Sequence, residues 1–273
     1  MSLPRVTACV VTYQSATSLS LCLNAFFAQK GVEPRAIVVD NASTDGSADI
    51  AEKFDAATVA RLAENSGFAA GMNRAIAQAD TDLILLLNPD VVLSESAAAT
   101  LAAALSGAPS DVAAVQPKLV SPHSDPPRLD STGIELRLFR LDPRDRGHGE
   151  IDTGRYDAAR GVFGVTGACS LWRRSVLAGL AIGGEVFDEG FFAYYEDVDL
   201  CWRAGRFGYR FLYCPEAQAT HPRRNPPPTA RTSTRWRSPT AISLFLKMRP
   251  GSKSRRSSPS TCPSKSRDGL SER

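Results

Sequence analysis

Leu83-Ile-Leu-Leu-Leu-Asn-Pro-Asp90 runs apolar for five residues and then stops at an Asn-Pro turn carrying a carboxylate. Five residues are short for a helix and sufficient for a strand, and apolarity at every position means that both faces of that strand are covered, as in a sheet with helices on either side. Upstream, Phe68, Met72, Ala75, Ile76 and Ala79 recur at helical spacing and form one apolar face. Before them Val6-Thr-Ala-Cys-Val-Val-Thr12 reads as a strand, and Ser18 to Gln29 as a helix with Leu19, Leu23, Phe26 and Phe27 along one stripe. Ala36 to Asp40 is the next strand, Asn41 to Ser47 a turn that caps the following helix, and Val59 to Ala63 a third short strand. Strands alternating with helices predict an α/β fold with a mostly parallel central sheet flanked by helices.

Downstream, Ser94 is read as the cap of an Ala-rich helix and Val112 to Val120 as a strand. Residues 122–161, with Pro126-Pro127 and a charged run from Arg137 to Arg146, read as an inserted irregular loop beside a site. Val162 to Trp172 is expected as one strand. Val198, Cys201, Trp202 and Gly205 mark a helix ending at Gly208, and Tyr209 to Cys214 a last strand. The reading is one domain over residues 1–221, with halves at 1–120 and 121–221. Residues 222–273 are a Pro/Ser/Arg-rich tail, apolar only at Ala241 to Met248, whose composition predicts disorder or translation out of frame.

The chain has 273 residues, 43% of them hydrophobic, which suffices for a core without disulfides. With 18 Pro and 20 Gly it is neither collagen-like nor disordered throughout. The net charge of +3 conceals an asymmetry, because the tail holds 13 Lys+Arg against 2 Asp+Glu and the rest holds 19 against 27. An acidic body argues against a nucleic-acid partner. The basic tail would suit peripheral contact with an anionic membrane. Six cysteines without a CxxC pair point to a reducing cytoplasm. No apolar run approaches the ~18 residues of a membrane span, and the N-terminus lacks the apolar region of a signal peptide. The expected location is the cytoplasm, at the inner face of the membrane if peripheral.

Ligands of parallel α/β sheets bind beyond the carboxyl ends of the strands. The polar residues there are Thr12-Tyr13, Asp40-Asn41 and Asn88-Pro89-Asp90, joined later by Glu196-Asp197 and His221. No GxGxxG follows the first strand and no GxxxxGK[ST] occurs, so a phosphate must be neutralised another way. Asp90 is a hard oxygen donor placed where Mg²⁺ or Mn²⁺ could bridge it to a diphosphate. Plainer readings stand beside these. Asp40 and Asp90 also suit turns, Glu196, Asp197 and Asp199 also suit a helix N-terminus, and Asp199 with Arg203 is an ordinary i, i+4 pair. Phe191, Phe192, Tyr194 and Tyr195 fit either a core or a platform for a sugar.

Six blocks in order over residues 5–221 resemble glycosyltransferase family 2, and within it the bacterial rhamnosyltransferase-like enzymes. They are Val10-Val-Thr-Tyr13, Val39-Asp40 with Asn41-Ala-Ser-Thr-Asp-Gly-Ser47, Asn65-Ser-Gly-Phe-Ala-Ala-Gly-Met-Asn73, Leu86-Leu-Asn-Pro-Asp90, Gly167-Ala168 and Glu196-Asp-Val-Asp-Leu-Cys-Trp-Arg203. The resemblance implies a GT-A fold and inverting transfer of a sugar, rhamnose from dTDP-rhamnose in that subgroup, from a nucleotide-diphosphate sugar to a cell-envelope polysaccharide or lipid-linked acceptor. It makes 1–120 the nucleotide-sugar-binding half and 121–221 the acceptor and catalytic half. By the same resemblance Thr12, Tyr13, Asp40, Asn41, Asn65, Gly67, Phe68, Asn73, Asn88 and Asp90 line the donor site, and Gly167 and Ala168 the acceptor site. Asp197 is the general base, with Glu196 beside it, and Asp90 and His221 hold Mg²⁺ or Mn²⁺. One acid of the family's metal motif is replaced by Asn88. The other function classes weighed are a catalytically weakened sugar-nucleotide-binding protein and a sugar-phosphate nucleotidyltransferase, which would want a Gly-rich basic loop after the first strand where Thr12-Tyr-Gln-Ser15 stands.

Overall fold

The computed structural model describes residues 2–122, 125–137 and 142–223, within the compact unit Met1–Thr234. The tail beyond residue 223, where disorder or a frame change was expected from composition, lies outside them.

The first half is β1 (Arg5–Thr12), α1 (Ala16–Phe27), β2 (Glu33–Asp40), α2 (Ser47–Ala51), β3 (Ala57–Arg61), α3 (Gly67–Gln78), β4 (Leu83–Leu87), β5 (Val92–Leu93) and α4 (Ala97–Gly107). The second is β6 (Val112–Ser121), β7 (Arg128–Ser131), β8 (Ile134–Arg137), β9 (Asp142–Asp145), β10 (Gly161–Val162), β11 (Cys169–Arg173), α5 (Arg174–Leu180), α6 (Glu196–Arg206) and β12 (Arg210–Thr220). The main sheet runs β10-β12-β6-β11-β4-β1-β2-β3, with β5 added to β12 and β7 to β6. The β1-β2, β2-β3, β1-β4 and β6-β12 pairs are parallel, whereas β11 is antiparallel to both β4 and β6.

The unbroken apolar run of β4 has the expected cause. Leu83, Leu85 and Leu87 face a layer with α1 and α4, and Ile84 and Leu86 face a second layer with α3, α5 and α6. Each such side chain contributes roughly 1.5–3 kcal/mol by leaving water. The face read on α3 is also the buried one, with Met72, Ala75, Ile76 and Ala79 inside.

Several expectations need correction. The segment 122–161 is not an irregular loop: β7 pairs with β6, and β8 pairs antiparallel with β9 in a separate two-stranded sheet. Its polarity misleads because its anchors are themselves polar. Buried Lys118 binds Asp152 at 3.0 Å and Asp157 at 3.1 Å, and Arg146 lies over the rings of Tyr156 and Tyr213 while donating to the carbonyls of Thr132 and Ala159. Residues 162–172 are not one strand but end β10, leave the sheet, and re-enter as β11. In between, the Thr166 N–H binds the Gln116 side chain and the Gly167 N–H binds Asp197. The last strand continues past Cys214 to Thr220, its pairing with β6 interrupted by a bulge between Cys214 and Gln218. Ser96, not Ser94, is the N-cap of α4, and the Asn41–Ser47 turn places Gly46 at the cap of α2 without a side-chain hydrogen bond. That turn instead serves α1, where Asp45 accepts from the Ala16 N–H and Ser47 Oγ from the Ser15 N–H.

Candidate active site

The sheet order reverses at β1: the chain goes outward to β2 and β3 and then crosses back through α3 to β4 on the other side. The carboxyl ends of β1 and β4 therefore open a crevice, the usual ligand site of such sheets. Thr12 and Asp40 end β1 and β2 there, opposite each other in register and both buried. Asp40 Oδ2 accepts from the Ser43 N–H at 3.0 Å, so it does hold the turn. Its Oδ1, like Thr12 Oγ1, is buried without a hydrogen-bond partner. An unsatisfied buried polar atom costs about 1–3 kcal/mol, so two side by side at a crevice are what a site built for a polar ligand carries. Tyr13, 47% exposed, stands at the rim.

The Asn-rich candidates are occupied by the protein's own backbone. Asn41 Nδ2 donates to the Gly67 carbonyl at 3.0 Å, its Oδ1 accepts from Ser66 Oγ, and Asn65 Oδ1 accepts from the Gly67 N–H at 3.0 Å. These bonds tie the end of β2 to the start of α3. Asn73 Oδ1 accepts from the N–H groups of Val186 and Phe187, while its Nδ2 donates to the Phe187 carbonyl and to Glu189. Phe68 packs edge-on against Phe187 with centroids 6.4 Å apart. The block Asn65–Asn73 thus fastens the segment that precedes α6.

Two bonds connect the end of β4 with α6. The Asn88 N–H donates to the Ala168 carbonyl at 2.8 Å, and the neighbouring Gly167 N–H donates to Asp197 Oδ2 at 2.9 Å. Asp197 Oδ1 accepts from the Val198 N–H at 2.8 Å, so backbone bonds orient the whole carboxylate. Burial pushes its pKa up against those bonds, and the charge of Asp145 adds to the rise. Glu196 is buried beside it with Oε2 unpartnered, and burial together with the Asp197 charge takes its pKa up to about 8. Asp199 and Arg203 form the i, i+4 pair that the spacing predicts, at 2.8 Å, and Arg203 also donates to the carbonyls of Leu180 and Val186.

His221 follows the end of β12. Its Nε2 lies 3.4 Å from Asp90 and its Nδ1 2.8 Å from Asp130 on β7. Asp130 also accepts from Arg223 Nε, and Arg223 reaches on to Asp145 on β9. Burial alone would lower the His221 pKa, but the bonds to Asp130 and Asp90 outweigh it and raise it to about 9. Tyr194 completes the cluster, feeling the charges of Glu196, Arg223 and Asp90 together. Sequence reasoning missed Asp130, Asp145 and Arg223, the first two because they lie in the segment taken for a loop. No sequence signal marks a lone aspartate in such a segment as the partner of a histidine 91 positions away.

No group of three or more His, Cys, Asp or Glu among the described residues is arranged to enclose an ion. Asp90 and His221 do pair an oxygen donor with an imidazole nitrogen, which fits an ion taking its remaining ligands from a diphosphate and water. No helix among the described residues is long and apolar enough to cross a membrane.

The chain is 29% identical, over 205 residues, to the N-acetylglucosaminyl-diphospho-decaprenol L-rhamnosyltransferase of Mycobacterium tuberculosis, covering 68% of this chain and 65% of that protein. The match thus spans just under two thirds of that relative's length. Among solved structures, the mannosyltransferase PcManGT from Pyrobaculum calidifontis, in complex with GDP-Man and Mn²⁺, superposes with a TM-score of 0.58 at 21% identity, covering 87% of this chain and 61% of that one. GalNAc-T7, with UDP, GalNAc and Mn²⁺, gives 0.61 at 12% identity over 80% of this chain and 44% of that one. At such identities the likeness shows the fold, which is GT-A, a mixed α/β sheet flanked by helices. Residues 7–180 match the model of glycosyl transferase family 2, from β1 through α5, and the chain belongs to that family.

Proposed function

We propose that the chain is an inverting glycosyltransferase that moves a sugar from a nucleotide-diphosphate sugar to an acceptor hydroxyl, with Asp197 as general base. The observation that carries the reading is the pair of unpartnered buried oxygens, Thr12 Oγ1 and Asp40 Oδ1, in the crevice whose far wall ends in Asp90. They offer a nucleobase and ribose the polar partners that the free protein leaves unused.

Inversion needs one group to take the acceptor proton as the oxygen attacks the anomeric carbon. The backbone bonds to Asp197 orient its carboxylate and leave lone pairs for that proton. The raised pKa makes it a better acceptor once ionised. Asp90 and His221 would hold Mg²⁺ or Mn²⁺, which supplies positive charge against the departing diphosphate. Gly167 and Ala168 would line the acceptor side. The mycobacterial relative points to rhamnose as the sugar and to a lipid-linked saccharide as the acceptor. Such an acceptor sets the reaction at a membrane surface, the inner face for a cytoplasmic enzyme.

The test is a thermal-shift panel of UDP-, dTDP- and GDP-sugars with and without Mn²⁺, on wild type and Asp90→Ala. A donor at 100 times its dissociation constant adds about 2.7 kcal/mol. The expected result is a shift for one nucleotide class that needs both Mn²⁺ and Asp90. A cooperative melt that no donor shifts would refute the reading.

A further inference from the structure

We propose that Asp130 is a positioning residue for the metal site: it fixes the His221 ring so that Nε2 faces Asp90. The inference rests on the reading of Asp90 and His221 as the ion's protein ligands.

Asp130 sits on β7 with 3% of its surface exposed. Around its carboxylate stand His221 Nδ1 at 2.8 Å, Arg223 Nε at 2.5 Å and His148 Nδ1 at 3.5 Å, the last closer, at 2.9 Å, to the Asp130 carbonyl. An ionised carboxylate only accepts, so the His221 nitrogen it touches must carry hydrogen. With Nδ1 committed to Asp130, Nε2, 3.4 Å from Asp90, is the nitrogen that can exchange its hydrogen for an ion. Such carboxylate–histidine pairs fix the ring and make the imidazole a stronger donor. The His221 N–H donates to the Val120 carbonyl at 2.9 Å, so the residue is held at its backbone as well as at its ring. Arg223 has a complementary part. It engages the second oxygen of Asp130 and reaches Asp145, so the carboxylate is tied to the end of β9 as well as to His221. The segment 122–161 thereby supplies the residue that orients a ligand carried at the end of β12.

A role confined to fastening β7 against the end of β12 would change stability and leave ion affinity alone. The experiment therefore reads Mn²⁺ binding directly. Free Mn²⁺ is titrated by room-temperature electron paramagnetic resonance into the full chain, alone and with UDP or dTDP, for wild type, Asp130→Asn, Asp130→Ala and His221→Ala. Melting temperatures are taken in parallel, and titrations are run well below the lowest of them. Both Asp130 variants are expected to bind Mn²⁺ about 10–100-fold more weakly than wild type, Asp130→Ala the weaker, while metal-free nucleotide affinity stays at the wild-type level. If Asp130→Ala does not fold, Asp130→Asn decides. Wild-type Mn²⁺ affinity in the Asp130 variants, with binding lost in His221→Ala, would overturn the role of Asp130 and leave the ligand assignment standing. No Mn²⁺ binding by wild type under either condition would overturn the ligand assignment and this inference with it.

Discussion

The carbonyl oxygen of Phe192 occupies the place beside Gly67 where a side chain would begin: a β-carbon on Gly67 would lie 2.6 Å from that oxygen and 2.7 Å from the Phe192 ring. Gly67 also holds φ at +88°, a conformation that L side chains rarely adopt. The start of α3 and the segment leading into α6 meet at this point, and the Ala69 N–H donates to the same carbonyl at 3.2 Å. Phe192, Tyr194 and Tyr195, just before Glu196, all have positive φ themselves. Such conformations cost of order 1–3 kcal/mol each and persist only where the surroundings impose them.

Gly67→Ala should therefore destabilise the protein by more than about 2 kcal/mol, from backbone strain and the forced shift of Phe192. For a domain of this size that lowers the melting temperature by about 5 °C or more. Calorimetry that finds the melt unmoved would mean that the 192–195 segment is free to leave α3.

Asn73→Ala should also act through stability. It strips partners from the Val186 and Phe187 N–H groups, at a cost of about 1–3 kcal/mol. Equilibrium denaturation and donor calorimetry on the same variant separate the two roles of Asn73. A stability loss with donor affinity nearly unchanged is expected, whereas lost affinity at wild-type stability would put Asn73 in contact with the donor.

Thr12→Val keeps shape and removes a hydroxyl that has no partner in the free protein. The unliganded variant should be as stable as wild type or more so, because an unsatisfied buried oxygen is gone. Nucleotide binding should weaken by about 0.5–1.5 kcal/mol if that hydroxyl meets the ligand. Titration calorimetry showing wild-type affinity would exclude Thr12 from the nucleotide site.

Asp197→Asn should leave donor affinity intact and lower turnover by about 10²–10⁴-fold. The same residue sets the pH profile. Because burial and the Asp145 charge hold the Asp197 pKa above the ordinary carboxylate range, turnover should rise with pH as Asp197 ionises, and Asp197→Asn should abolish that rise. Stability runs the other way. A proton kept on Glu196 to about 8, against 4.5 in an unfolded chain, stabilises the fold below 4.5, and that contribution is lost as pH climbs to about 8. Across that window the wild type should lose stability relative to Glu196→Gln. Urea titrations at several pH values that show parallel behaviour would place Glu196 in water.

Periodicity along the chain was enough to establish the α/β sheet, the double burial of Leu83 to Leu87 and the inward face of α3, because a strand or helix writes its burial into neighbouring residues at a fixed spacing. It also located Thr12, Asp40 and Asp90, since in a parallel sheet the strand ends alone select the crevice. What a polar side chain bonds to is not written locally. Asn41, Asn65 and Asn73 look alike in sequence as ligand contacts, yet each side chain bonds the folded backbone, while Thr12 and Asp40 keep an unpartnered oxygen. Likewise Asp130, in a stretch too polar to show a pattern, meets His221 only because β7 pairs with β6 and β6 lies beside β12. Burial repeats along the chain, whereas a hydrogen-bond partner can come from any strand the topology brings near, so tertiary structure alone decided which polar side chains are bonded within the fold and which keep an unpartnered atom.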